Sequence, residues 1–382
     1  MKGGHQGEFS IDWDRELSGV VTARDTVFSQ NLNFDTNIDV RGNGIAGIEL
    51  WDSKVGGDLT IEGAISVKGD TVSEEYEDTY QVWNPDTQKF ETVTVMDVDT
   101  WGVSGVVAEG DEIYATDQFG NTLWGSVVGY TSAVGGTIRN KASITAEGQL
   151  AIGMLISEHE IGGDVINEGS ISVKGETYLD EGSDASGSWR HAVGVTALVI
   201  EDSSLAGDVR NSGTIRAEST NATGLSLDWM TLEGKLINDG SIEVQGDSVD
   251  SIEEDETYRE IAAAVTLDEV ELLQIRNGEK GRIVATGKGS VGLDISYTAF
   301  GDTGEEAHIV NSGLIQGEHA AIHIGEQVEA TALHQVEIWN KGLSFRSAQP
   351  SRWKAARPMR GTARCRSNYS GSKAPSAVIC SA

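Results

Sequence analysis

The sequence predicts an all-β chain, a single-stranded parallel β-helix (a β-solenoid) with loop and hairpin insertions. Three observations carry this. Short segments alternate apolar and polar residues, one pattern recurs along the chain, and 47 glycines stand against only 4 prolines. Alternation marks half-buried strands. Abundant glycine suits tight corners, while proline would remove donors from strand ladders.

The recurring stretch is clearest at 161–175, IGGDVINEGSISVKG. Val165, Ile171 and Val173 alternate with polar residues, and Asn167-Glu168-Gly169 breaks the alternation as a turn would. The pattern apolar-x-Asn-x-Gly-x-Ile returns at Asn211-Gly213-Ile215, Asn238-Gly240-Ile242 and Asn311-Gly313-Ile315. Weaker copies hold Asn140 and Ile144, Gly63 and Ile65, and Asn277 and Ile283; another opens at Asn340-Lys341-Gly342. Between copies lies a small residue followed by apolar-x-apolar, as in Gly47-Ile48-Glu49-Leu50 and Gly153-Met154-Leu155-Ile156. The Asn-to-Asn interval is 27 residues twice, and otherwise 34, 39 and 44. A period in the upper twenties with insertions is a solenoid signature. Strands this short bury their apolar positions only by stacking coil on coil.

Taken in order, residues 1–34 read as a frayed first segment and 35–343 as the repeat domain. Within it, 68–135 reads as the largest insertion, with a hairpin turning at Asn84-Pro85-Asp86 and a second turning near Gln118-Phe119-Gly120-Asn121. Acidic loops follow Ile65, Ile171 and Ile242 but not Ile144, Ile215 or Ile283. The higher-order unit is therefore two coils, and the loops should leave one corner as an acidic ridge. Val165, Ile171, Val173, Val209, Ile215, Ile237, Ile242, Ile309 and Ile315 are expected to point inward.

Residues 344–382 change character. They hold 8 Lys and Arg, no Asp or Glu, both cysteines (Cys365 and Cys380) and three prolines. Translation in a shifted frame is the simplest account, with a basic nucleic-acid-binding arm as the alternative; the segment is expected to lack regular packing. The preceding 343 residues carry 20 basic against 60 acidic residues, a net charge of −40. That field argues against nucleic acid or anionic membrane as partners. No apolar run is long enough to cross a membrane as a helix, and the first residues lack the apolar core of a signal peptide.

The repeated V-x-N-x-G-x-I followed by Gly-apolar-x-apolar, in an acidic and cysteine-free body, resembles the passenger regions of bacterial autotransporters, the type V secreted proteins. The resemblance covers roughly 35–343. It implies a β-helix displayed at the bacterial cell surface or outside the cell. A C-terminal β-barrel would provide membrane attachment, and neither a barrel nor a signal peptide is seen in this chain.

Candidate sites follow from the repeat. Asn140, Asn167, Asn211, Asn238, Asn277 and Asn311 occupy one equivalent corner. Stacked strands would bring them about 4.8 Å apart, so a structural amide ladder is expected. The glycines two residues on supply either a positive φ or room at the corner. Tyr76, Tyr80, Trp83, Trp101 and Trp124 form a possible ligand-contact loop, or else a small core under a hairpin. Asp70, Glu74, Glu75, Glu77 and Asp78, with Glu253, Glu254, Asp255 and Glu256, offer oxygens to calcium but match no calcium-loop pattern; the alternative is a solvated acidic loop. The histidines, including His159, His308, His319 and His323, read as surface residues, and no cofactor is expected. No paired acidic site is evident on the strands. The expectation is thus a non-catalytic, structural or adhesive passenger that could meet a host-cell, matrix or glycan surface. A carbohydrate-active β-helix enzyme, a polysaccharide lyase or hydrolase, is the alternative.

Overall fold

The structure is a computed structural model that describes residues 19–84, 88–116, 122–183, 188–253, 256–303, 307–325, 327–330 and 336–346. Among them the chain winds through nine coils, whose first strands begin at Val21, Ala46, Ser104, Ile152, Thr196, Thr223, Ala263, Val291 and Ala320. Two 16-stranded sheets result. Coil meets coil only through parallel pairing, as a β-helix requires; antiparallel pairing is confined to the insertions.

The fourth coil shows the local logic. It consists of Ile152–Ser157, His159–Ile161, Val165–Asn167 and Ser170–Lys174. The first two strands lie in one sheet and the last two in the other. Ile171 lies opposite Ile144 and Ile215 in the neighbouring coils, and Asn167 opposite Asn140 and Asn211. Like therefore stacks on like. Ile144, Ile171, Ile215, Ile242, Ile283 and Ile315 form one buried column along the axis. Each such side chain contributes about 2–3 kcal/mol of apolar burial, enough in sum to hold strands too short to fold singly.

Three columns of polar groups hold the corners. Asn140, Asn167, Asn211, Asn238, Asn277, Asn311 and Asn340 are linked head to tail, each Nδ2 donating to the next Oδ1 at 2.8–2.9 Å. In the second and first coils the same position holds Ile61 and Phe34. There no amide turns the chain, and the strands run straight through as Leu32–Arg41 and Leu59–Lys68. A second column is hydroxylic. Ser53, Ser132 and Ser203 each donate to a carbonyl two or more residues back and accept a backbone N–H from the coil beside them. Where Met230 and Val270 occupy the equivalent corner, the strands again run through, as Thr223–Leu232 and Ala263–Leu272. The third column is acidic: Asp58, Asp164 and Asp208 accept backbone amides of Thr137, Asp208 and Lys235.

Several sequence expectations are corrected. Ile237 is half-buried rather than inward; Leu236 takes the core position. The inward Asn238 dictates this, because the residue two before it shares its face and the residue one before it does not. Solenoid strands already run from Val21, upstream of 35, and the last described strand, Leu343–Arg346, extends past 343. Residues 347–382 lie outside the described residues. The span 68–135 is not one insertion, since Ser104–Glu109 within it is a solenoid strand paired with Ala46–Trp51 and Ile152–Ser157. At Gly169, Gly213, Gly240, Gly313 and Gly342 glycine supplies room and not a positive φ. A Cβ at Gly213 would lie 2.0 Å from the carbonyl oxygen of Gly169 in the coil beneath.

Candidate functional site

Two features break the repeat and so are candidates for function. The first is a row of hairpins. Val72–Asn84 pairs with Lys89–Trp101, Tyr178–Ser183 with Ser188–Val193, and Val249–Glu253 with Glu256–Glu260. They leave the same corner of the second, fourth and sixth coils, the alternation read from the acidic loops. The latter two join edge to edge in a four-stranded sheet, with Ala192 N donating to Ser251 Oγ at 3.2 Å. The first reaches its neighbour where Tyr178 Oη donates to Thr100 Oγ1 at 3.4 Å. Three loops thus form one spur. An open cleft of about 500 Å³ lies at its root, between Lys174, Glu218, Thr220, Gln245, Asp247 and Thr286.

The five aromatics expected to form a contact loop are carried by three strands of two hairpins. Tyr76, Tyr80 and Trp83 lie on one arm of the first hairpin, and their side chains are outside the described part. Trp101 ends the other arm, half-buried, with its Nε1 packed over Gly44. It wedges the hairpin's base. Trp124 belongs to a separate hairpin, Glu112–Thr116 with Thr122–Tyr130, which leaves the opposite end of the first strand of its coil. That hairpin exposes Ile113, Leu123, Val127 and Val128.

The second feature was not visible in the sequence. In eight of the nine coils a residue in the left-handed region stands at or just past the end of the first strand, or at the equivalent position where that strand runs through. The row comprises Asp25, Asp52, Glu158, Asp202, Trp229, Glu269, Tyr297 and Gln327, with φ between 43° and 55°. Just inside it, register aligns Glu109, Ser157, Glu201, Asp228 and Asp268 on successive coils. The carboxylates of Glu201, Asp228 and Asp268 are therefore stacked at strand spacing. Burial, then Asp268, Glu201 and Asp202, push Asp228 up to about 7. Burial, then Asp111, Glu109, Glu112 and Asp202, do the same for Glu158. Burial also raises Glu201, Asp202 and Asp268. By contrast the outer face of the other sheet carries paired charges, Lys141–Glu62 at 2.9 Å and Lys174–Glu218 at 2.7 Å among them. The expectation of no acidic cluster on the strands is thus corrected. The members are about 27 residues apart or more in sequence, and only coil register unites them.

The histidines divide. His319 is exposed, as expected. His159 and His308 are buried instead, because their positions fall on the inward side of the corner. His159 Nδ1 lies 2.9 Å from Ser157 O, and burial lowers its pKa to about 4. His323 is half-buried rather than at the surface, and its Nδ1 meets Asp294 Oδ1 at 2.6 Å, which raises its pKa. Among the described residues no three His, Cys, Asp or Glu side chains converge on a metal. Of the oxygens considered for calcium, Glu254 and Asp255 lie outside the described residues, as do the side chains of Glu74, Glu75, Glu77 and Asp78.

Comparison with known families adds one finding. Residues 87–258 match the family described as the BigA third pectate lyase-like domain, a little under half of the chain. The likeness spans the coils that carry the last part of the first hairpin and the whole of the next two insertions. No curated protein and no solved structure matches the chain.

Proposed function

We propose that this chain is a non-catalytic passenger displayed at a bacterial surface, with the hairpin spur as its contact surface. One observation carries the reading: hairpins from alternate coils, variable in length and sequence, project side by side, two of them joined in one sheet and the first reaching them through Tyr178 and Thr100. Variable loops on a rigid scaffold are where binding usually resides. The solenoid then acts as a stalk, and its −40 body favours cationic or calcium-bridged partners over anionic ones. Similarity to a BigA domain supports a β-helix of the bacterial surface. The test is removal of residues 72–101 from the displayed protein, followed by attachment to cells or matrix with and without a chelator. Attachment should fall; unchanged attachment would overturn the reading.

A second reading, a carbohydrate-active enzyme, is favoured by the stacked Glu201, Asp228 and Asp268. Asp228, with its pKa raised to about 7, has a carboxyl suited to acid–base chemistry, and the matched family is pectate lyase-like by name. Incubation with polyuronides and neutral glycans distinguishes the two. New reducing ends or unsaturated products that vanish in Asp228→Asn would establish the enzyme.

A further inference from the structure

Far from the spur, the left-handed corner row exposes two large aromatic side chains close together. Trp229 is 61% exposed and Tyr297 is 40% exposed. Register places Asp228 opposite Asp268 and Met230 opposite Val270, so Glu269 faces Trp229. It also places Leu267 opposite Ile295 and Glu271 opposite Ala299, so Tyr297 faces Glu269 on the other side. Two strand steps separate the aromatics, roughly 10 Å, with an exposed glutamate between them.

Burial does not account for Trp229 at this position. Elsewhere the row is filled by acidic residues or Gln327, and Asp tolerates a positive φ well. A bulky ring there costs on the order of 1 kcal/mol of backbone strain and forgoes burial. Just inside the row lie two further carboxylates that add to the negative field at this corner. Asp228 and Asp268 each bury one carboxylate oxygen, Oδ1, that has no hydrogen-bond partner. The backbone N–H groups of Trp229 and Glu269 donate to these side chains, which leaves the Oδ1 atoms unserved. Among the described residues no Lys or Arg forms an ion pair with Asp228, Asp268 or Glu269.

We propose that this corner binds an organic cation, the ammonium or guanidinium of a lysine- or arginine-bearing protein segment, held between Trp229 and Tyr297 above Asp228, Asp268 and Glu269. Rings that face one another across two strand steps would hold a cation about 5 Å from each, within the range of cation–π attraction. An anionic ligand meets three carboxylates, and a neutral one leaves them uncompensated. A long, flexible side chain can enter between rings this far apart, whereas an amine fixed directly to a sugar ring would have to bring the whole ring in. The row continues through Asp202 and Glu158, so successive cations of one extended segment would find further acids along the axis. This site shares no residue with the spur and stands whether or not the spur is a contact surface.

The test is titration of the full chain with an oligolysine and an oligoarginine peptide, alongside Trp229→Asn and Tyr297→Asn. Both variants keep the net charge and suit the left-handed corner, so folding is preserved and nonspecific attraction to the acidic body is unchanged. Affinity should fall at least tenfold in either variant and be retained in Trp229→Phe. Equal affinity in parent and variants would show nonspecific attraction only and overturn the site. Binding of a de-N-acetylated aminoglycan oligomer in preference to both peptides, lost in Trp229→Asn, would overturn the peptide assignment.

Discussion

At the scale of single residues, the ladders make the sharpest predictions. Asn211 accepts from Asn167 and donates to Asn238. Asn211→Ala breaks both bonds and orphans two buried amides, so unfolding should become easier by about 2–4 kcal/mol. Chemical denaturation of the variant measures this directly. Asp228 predicts a pH dependence of opposite character. Its folded pKa, raised to about 7 from 3.8, means that its charge costs stability above pH 7 and nothing once it is protonated below about pH 4. Asp228→Asn should therefore stabilise the protein at pH 8 by about 1–2 kcal/mol, discounted for partial exposure. The gain should fade by pH 5, as melting at both pH values would show. His159 works the other way round. Neutral and buried, with its pKa lowered to about 4, it contributes about 3 kcal/mol that is complete above pH 6.5 and lost as pH falls toward 4.

Among elements, the corner decides whether a strand stops or continues. A side chain that accepts or donates at the turn ends the strand; an apolar residue at that position lets it run through, as at Ile61 and Met230. Glycine at the Asn corner serves close approach, so Gly213→Ala must push two coils apart. The Cβ would meet the Gly169 carbonyl oxygen, part of a rigid ladder. The expected cost is about 1–3 kcal/mol, as for other overpacked sites. A circular-dichroism melt unchanged from the parent would contradict this account of the corner. The hairpins obey different physics. They stand away from the core column and are held at their roots by packing such as Trp101 over Gly44. Their removal should leave solenoid melting nearly unchanged while attachment falls.

The molecule as a whole is a stack in which each coil touches its neighbours, so stability is close to a sum of coil and interface contributions. Its charge is unevenly spread, with exposed ion pairs on one sheet and closely stacked carboxylates along the corner of the other. Exposed pairs contribute little, while a body at −40 repels itself. Raising sodium chloride from 20 to 300 mM should therefore raise the melting temperature. A fall would mean that the ion pairs outweigh the repulsion.

The sequence by itself determined the solenoid, because the same residues must stack to be buried and so recur. The asparagine column, the isoleucine column and the two-coil rhythm of the hairpins were all legible as spacing. Only the tertiary structure decided what stands beside what across coils. Glu201, Asp228 and Asp268 look unrelated in the chain, as do Trp229 and Tyr297, since loops of unequal length separate them. Coil register removes those loops from the count and sets the residues one or two strand steps apart. The hydroxyl column was hidden for a similar reason: Ser53, Ser132 and Ser203 share it with Thr26 and His159, so no one letter marks every coil. The face of Ile237 was misread because two adjacent apolar residues, Leu236 and Ile237, both fit the pattern. The inward amide of Asn238, hydrogen-bonded to the coils on either side, was what chose between them.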